Sequence, residues 1–503
     1  MKYLKKYKTS LLLGLFFLIA YFFTRLVNLT FLPIFTDEAI YLRWAQIAKN
    51  DANWRFISLT DGKQPLFVWL TMVVMKVVNE PLLAGRLVSV FTGIIGLISV
   101  YFLAKELFKR EIVAWFSALL FLLSPFSLFY QRLALMDGLL ASVILLTLYL
   151  EVLLVKRLRL DIALLLGMAM GAAMLTKTSG FFTLYLLPFS VLLLDFGQKK
   201  RVNKLILWVV LASISALMSQ VIYSVLRLSP LFHMIAQKDT TFVYPVREWV
   251  QHPFTYFWGN FQGLFGWLTL YLTWPIVILV LLALVFSFKR YFRERWFLFL
   301  WFVTPFILLA LFGKVLYPRF IAFMVMPLLI LAASFFAEIS QKIKKLSYLA
   351  ILVFLITLPL LVFDTQILFD ITKAPLTTID RGQYVNDWPA GWGVRESVAY
   401  LEKEAEKGKI AIFTDGTFGL LPYGLELYLV YHPNVKITGV WPIPDQMPEE
   451  MLQASKKMPT FYVLNQFKST PPSWSVEEIG RWQKGANKES FLKLYKVKSS
   501  RQE

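Results

Sequence analysis

Long apolar runs punctuated by short basic clusters dominate the chain. Runs near residues 10–32, 82–104, 112–130, 138–155, 160–176, 180–195, 204–226, 262–288, 297–313, 319–338 and 348–368 give eleven expected spans. A span needs roughly 20 apolar residues, so the two short runs flanking Lys177 are the weakest of the set. The first run follows MKYLKKYKTS and is longer than the apolar part of a signal peptide. No small-residue cleavage site comes after it, so it reads as an anchor. Basic clusters occur at Lys2/Lys5/Lys6/Lys8, Lys105/Lys109/Arg110, Lys156/Arg157/Arg159, Lys199/Lys200/Arg201/Lys204, Lys289/Arg290/Arg293/Arg295 and Lys342/Lys344/Lys345. All of them fall in alternate gaps, which places the N-terminus in the cytoplasm under the positive-inside rule. The external parts are then 33–81, 131–137, 177–179, 227–261, 314–318 and everything after about residue 369.

The last 130 or so residues hold no spanning run. A helical pattern at 393–407 precedes an apolar strand at 409–414. A second helical stretch at 417–431 precedes strands at 435–440, 460–465 and 490–497. Helices alternating with short β-branched runs predict a small α/β domain. The expected organisation is a helical membrane domain over 1–369 and an extracytoplasmic α/β domain over 370–503.

Composition agrees with a polytopic helical membrane protein. Of 503 residues, 57% are hydrophobic, 17% aromatic and 17% charged, and mean hydropathy is +0.60. These values exclude a disordered chain and a string of soluble domains. In a soluble protein a net charge of +20 would suggest nucleic acid. Here the basic residues serve topology and contact with membrane lipids instead, and no nucleic-acid partner is expected. The absence of cysteine removes disulfides, thiolate zinc sites and thiol catalysis. Three scattered histidines argue against a multi-histidine metal centre, and no internal repeat supports a duplicated transporter.

The polar residues that remain gather at the outer ends of spans. Asp37 and Glu38 open an amphipathic helix after the first span, with Tyr41, Trp44 and Ile47 along one side. They are read either as helix-dipole residues behind a Thr36 cap or as catalytic acids. Lys63 precedes Gln64-Pro65 and a helix start, where a cation either snorkels or attracts phosphate. Arg86 carries the same two readings. Arg132 and Asp137 share the tight turn QRLALMD, as a mutual pair or with Asp137 on a wet cavity shared with Asp37. Lys177, Lys314, Tyr317 and Arg319 lie at further external turns. Snorkelling accounts for the cations but not for acids at the same depth. A phosphate-bearing lipid substrate beside a carboxylate base accounts for both.

These segments resemble a known family. FTDEAIYLRWAQIA resembles the Asp-Glu signature in the first external loop of GT-C glycosyltransferases, and GKQPLFVWL resembles their Lys-Pro-Pro-Leu segment, with Gln64 at the first proline. GRLVSVF, with Val88 at a usual proline, QRLALMDGLLA, LTKTSG, YPRFIAFMVMP and NDWPAGWGVRESVAYL are similar to later motifs in the same order. The resemblance is to family 39, the protein mannosyltransferase and aminoarabinose transferase group, in its prokaryotic branch. It implies a GT-C fold in the cytoplasmic membrane that moves a sugar from a polyprenyl-phosphate donor to an acceptor hydroxyl, with inversion. Asp37 matches the proposed base, and Lys63 matches a phosphate-linked lysine. Arg86 and Arg319 match positions near the same cavity, while Glu38 and Asp137 match acids that shape it. No metal site is implied and no cofactor is required. Oxygen ligands from Asp37, Glu38 and Asp137 leave a divalent ion, Mg²⁺ or Mn²⁺, open. The acceptor is not specified by the sequence.

A transporter or lipid flippase is the alternative, and it would place charges within spans. A membrane-anchored scaffold would leave the loop acids unexplained. Topology is directly testable. Cysteine at Lys63 is expected to react with an impermeant thiol reagent from outside, and cysteine at Lys344 is not. Outside labelling at Lys344 would overturn the expected count.

Overall fold

The computed structural model describes residues 2–195, 201–252, 254–286, 290–466 and 469–498, with side chains from Lys8 onward. Lys199, Lys200 and Lys289 of the basic clusters lie outside the described residues, as do the side chains of Lys2, Lys5 and Lys6. The chain forms two compact units. One comprises Met1–Val27, Arg55–Leu70 and Arg86–Phe369, and the other Asn28–Trp54, Thr71–Gly85 and Asp370–Glu503.

The first unit is a bundle of apolar helices. Among the described residues, seven helices are long and apolar enough to cross a bilayer, or eight if one bent pair is a single span. Three shorter apolar segments, Glu111–Leu123, Leu160–Thr176 and Thr178–Leu193, complete the set expected from the sequence. Proline explains where the expected runs break. The run at 262–288 divides into Phe257–Leu272 and Trp274–Val285, bent by 108°. The break falls at Thr273, whose φ is +65°, and Pro275 in the first turn beyond it has no N–H with which to continue the upstream helix. The run at 112–130 breaks likewise at Ser124-Pro125.

Burial ranks the helices. Pro318–Ser340 is 94% buried over its apolar window and Met136–Arg157 89%, against 17% for Lys8–Leu26 and 22% for Leu346–Phe369. The first two form the centre, and the last two turn their side chains outward, as lipid-facing helices do. The central Ala322–Ser340 packs on Glu111–Leu123, Met136–Arg157, Trp274–Val285 and Phe292–Phe312. A Gly-x-x-x-Gly stripe brings Leu160–Thr176 close to Arg201–Tyr223. A Cβ at Gly167 would lie 2.6 Å from the Met218 Cβ, and one at Gly171 2.8 Å from the Ile222 Cβ. Small residues of this kind let helix backbones approach in lipid, where burial of apolar surface gives little drive. The Ser215 hydroxyl uses the approach, donating to the Ala163 carbonyl at 2.8 Å.

Not every charge lies at a span end. Glu151, Asp364 and Arg25 are buried within apolar helices. Arg25 donates to the Leu122 carbonyl at 2.8 Å and the Ser127 hydroxyl at 2.7 Å, and Asp364 lies within its electrostatic reach. The sequence pattern hides these residues because each is isolated in an otherwise apolar run.

The second unit contains a five-stranded mixed sheet. Its strands are β1 (Ile410–Thr414), β2 (Val435–Gly439), β3 (Thr460–Leu464), β4 (Val476–Lys484) and β5 (Asn487–Val497), in the order β2-β1-β3-β5-β4. β1 runs parallel to β2 and β3, while β5 is antiparallel to β3 and β4. β1 and β3 are buried throughout, as central strands flanked by helices should be. β4 and the helix Glu449–Lys457 are additions to the expected elements, because their charged, half-exposed pattern lacks an apolar run.

The helix Thr36–Asn50 belongs to this unit and packs on Leu420–Leu429. Arg43 pairs with Glu426 at 2.7 Å, and Gln46 donates to the Leu427 carbonyl at 3.0 Å. Tyr41 and Trp44, expected on an interfacial face, are buried against protein instead.

Lys484 is a buried anchor of the unit. Its ammonium donates to the carbonyls of Trp388 at 3.0 Å and Ala390 at 2.6 Å, and to the Asn465 side-chain oxygen. Three oxygen acceptors require three N–H donors, so these contacts favour the charged form, while burial pulls its pKa down to about 7. Lys484→Met keeps the stem and removes all three donors. At roughly 1–3 kcal/mol for each buried acceptor left without a partner, the thermal midpoint of the full-length protein should fall by several degrees. An unchanged midpoint would show that Lys484 does not anchor the unit.

Candidate active site

The central helices of the first unit bring together several of the expected residues. Asp137 sits in the first turn of Met136–Arg157, where a carboxylate suits the positive end of the helix dipole. Lys177 follows the last residue of Leu160–Thr176 and occupies its C-terminal cap position. Its ammonium contacts an Asp137 oxygen at 2.6 Å. Arg319 lies in the turn Pro318–Ile321 that leads into the most buried helix, and its Nε stands 4.0 Å from the other Asp137 oxygen. A single carboxylate therefore faces two cations.

Aromatic rings extend the cluster. Lys177 lies 4.2 Å from the Phe320 ring centroid. Arg319 lies 4.5 Å from the Tyr317 ring and 5.8 Å from Phe320. Phe320 meets Phe242 edge-on at 5.7 Å, and Lys63 lies 4.9 Å from Phe242. A cation over an aromatic face gains electrostatic stabilisation from the ring. Lys63 is set by its loop: Gly62 takes the left-handed conformation, and the Lys63 amide donates to the Ser58 carbonyl at 3.0 Å.

Asp239 was not foreseen as part of this site. It lies in Met234–Phe242, within the loop 227–261 that is expected to be external, and accepts a hydrogen bond from the Thr178 hydroxyl at 3.1 Å. Gln64 donates to the same hydroxyl at 2.8 Å, so the residue in place of a usual proline bridges two loops. Burial pushes the Asp239 carboxyl above the usual range, against the opposing pull of Thr178 and Lys63. Its signal in the sequence was only one acid in a polar loop. Lys314 stands 5.8 Å from the Tyr244 ring, held by pairing of Val243 with Gly313.

Arg132 and Arg86 form a different group. Arg132 donates to the carbonyls of Thr24 and Arg25 at 2.8 and 3.0 Å, closing the C-terminal end of the first helix. Arg86 is fully buried, and both Arg86 and Arg25 repel Arg132 electrostatically. Arg25 was not among the expected residues.

Asp37 and Glu38 lie in the second unit. Phe35, rather than Thr36, is the N-cap of their helix. Glu38 is fully buried and accepts the Phe35 amide at 2.9 Å, the reach-back contact of a capping box. Thr36 instead donates its amide and hydroxyl to the Pro389 carbonyl, at 3.1 and 3.0 Å. Asp37 is half-buried in the first turn. Among the described residues, no group of three or more His, Cys, Asp or Glu side chains converges as a metal-ligand set.

Residues 62–223 match the family model described as dolichyl-phosphate-mannose-protein mannosyltransferase. That segment carries Lys63, Arg86, Arg132, Asp137 and Lys177. No curated protein matches the chain. Two crystal structures of ArnT from Cupriavidus metallidurans share the fold over nearly all of both chains. The form bound to undecaprenyl phosphate aligns with a TM-score of 0.58 at 15% identity, covering 98% of this chain and 99% of that one. The apo form aligns with a TM-score of 0.60 at 15% identity, covering 99% of each. Residues 62–223 therefore carry the signature of that family, and the chain as a whole has the fold of the ArnT structures.

Asp137→Asn removes the carboxylate between Lys177 and Arg319. Removing one partner of a buried pair costs roughly 3–5 kcal/mol. The effect should fall at the lower end, because the Lys177 side chain remains 22% exposed. A clear drop in the thermal midpoint of the detergent-solubilised protein is expected, and an unchanged midpoint would contradict the pairing.

Proposed function

We propose that the protein transfers a sugar from a polyprenyl-phosphate donor to an acceptor hydroxyl on the outer face of the cytoplasmic membrane. The observation that carries this reading is the grouping of Lys63, Lys177 and Arg319 around the Phe242–Phe320 ring pair at helix ends. Cations in that setting suit a phosphate whose prenyl chain runs into lipid. The shared fold with an ArnT structure bound to undecaprenyl phosphate supports the same class of ligand.

The chemistry is a single displacement. The acceptor oxygen attacks the anomeric carbon, and the bond from that carbon to the phosphate oxygen breaks. The polyprenyl phosphate leaves with the electron pair, and the anomeric configuration inverts. Lys63, Lys177 and Arg319 stabilise the charge that develops on the leaving phosphate. A base takes the proton of the acceptor hydroxyl, and Asp37 fills that role. Support for Asp37 is the resemblance of its Asp-Glu segment to that of GT-C glycosyltransferases and its partial exposure in a first helical turn. Glu38 holds the helix start and Asp137 organises the cations. The reaction needs no metal or cofactor, since side-chain cations supply the positive charge. The acceptor is a lipid, glycan or protein hydroxyl.

Lys63→Ala and Arg319→Ala should raise the KM for the polyprenyl-phosphate donor and leave the acceptor KM nearly unchanged. A rise confined to the acceptor KM would remove that residue from phosphate binding.

Asp37→Asn should leave donor binding intact and lower turnover by about 10² to 10⁴, the usual loss for a general base. Glu38→Gln is the control. It keeps an oxygen for the Phe35 amide and points about 100° away around the helix. A helix-dipole role alone predicts a loss of only about 0.3–1 kcal/mol of stability at either residue. Equal, small effects on turnover at both positions would rule out Asp37 as the base.

A further inference from the structure

The second unit contains a cavity of about 280 Å³ whose walls include Asp387, Trp388, Asn465, Gln466, Asn487 and Phe491. It lies near the small end of the roughly 300–1,000 Å³ range of ligand pockets. Asn465 and Gln466 directly follow the carboxyl end of β3, and Asp415 directly follows that of β1. The carboxyl ends of parallel strands are where open α/β sheets bind ligands.

The wall is held by buried hydrogen bonds. One Asp415 oxygen accepts the backbone amides of Asn465 at 2.8 Å and Gln466 at 2.6 Å. The Asn465 side chain donates to the Trp388 carbonyl at 3.0 Å and accepts from the Lys484 ammonium. Lys484 donates to the same Trp388 carbonyl at 3.0 Å, so the backbone beneath the indole is fixed twice. Asn487 donates to Asp387 at 3.3 Å. On this rigid support the Trp388 side chain stays 45% exposed, which is unusual for so large an apolar group beside a well-packed core.

The lining selects a class of ligand. Planar amides and carboxylates offer donors and acceptors side by side, matching neighbouring hydroxyls on a ring. An aromatic face covers the C–H surface that such a ring presents. A phosphate or other anion would meet the carboxylates of Asp387 and Glu489 with Lys493 as the basic residue of the lining. A purely apolar ligand would strip water from the amides without replacing it. We propose that this cavity is a carbohydrate-binding site that takes one sugar ring of a glycan. It would give the enzyme a hold on a glycan-bearing acceptor. That consequence rests on the transferase reading, whereas the binding itself does not.

The test is saturation-transfer NMR on the full-length protein in a sugar-free detergent, with no lipid-linked donor present. Glucose, mannose, galactose, glucosamine and N-acetylglucosamine serve as probes. Saturation should pass to at least one of them. Trp388→Ala should weaken that binding about tenfold, the loss expected for one well-packed aromatic contact. Ser490→Trp, which fills the cavity from its rim, should weaken it as much. No saturation of any sugar would overturn the site, and so would equal binding by the parent protein and both variants. Because donor is absent, either negative result leaves the transferase reading standing. Loss of donor turnover in the parent protein with sugar binding intact would do the reverse.

Discussion

A charge at the end of an apolar helix must be matched before the helices around it can close. The 2.6 Å contact between Lys177 and Asp137 does this for the first unit. It joins the end of one helix to the start of the one before it, and Arg319 adds the turn that leads into the most buried helix. An uncompensated ion in that setting carries a penalty of several kcal/mol. The arrangement fixes three helix ends. The ring pair Phe242–Phe320 links this group to Lys63, so residues distant in sequence meet in one small region.

The same principle orders the second unit. Lys484 and Asp415 are buried ionisable groups, and each is held by hydrogen bonds rather than by exposure. Burial pushes the Asp415 carboxyl up to about 7, against two backbone amides and Lys484, which pull it down. Together these residues fix Trp388, Asn465 and Gln466 at the carboxyl ends of the parallel strands. A rigid wall of this kind pre-organises a binding site and limits what is lost on ordering a ligand.

Much of this was legible from apolar runs, because a bilayer forces them. The positions of the helices and of most strands follow from run length and alternation. The breaks were harder to read. Pro275 and Pro125 interrupt apolar runs that look continuous, since apolarity carries no record of a missing N–H. Asp137, Lys177, Arg319 and Lys63 were readable as polar residues at span ends, but their grouping was not. It depends on side chains that meet only after the helices pack. Asp239 and Arg25 were missed for the same reason. The capping role of Glu38 could have been read from its place three residues after Phe35, had Thr36 not offered the more familiar cap. The edge strand β4 stayed hidden because an edge needs no apolar run.

The proposed reaction requires side-chain cations to hold a lipid-linked phosphate while its sugar is displaced. Its most direct test uses purified protein in liposomes, a panel of polyprenyl-phosphate sugars and native-membrane acceptors. Free polyprenyl phosphate and the anomeric configuration of the product are measured together. Release of polyprenyl phosphate from at least one donor, matched by an acceptor glycoside of inverted configuration, is expected. Intact donor moved across the bilayer without release of polyprenyl phosphate, or a product of retained configuration, would contradict it.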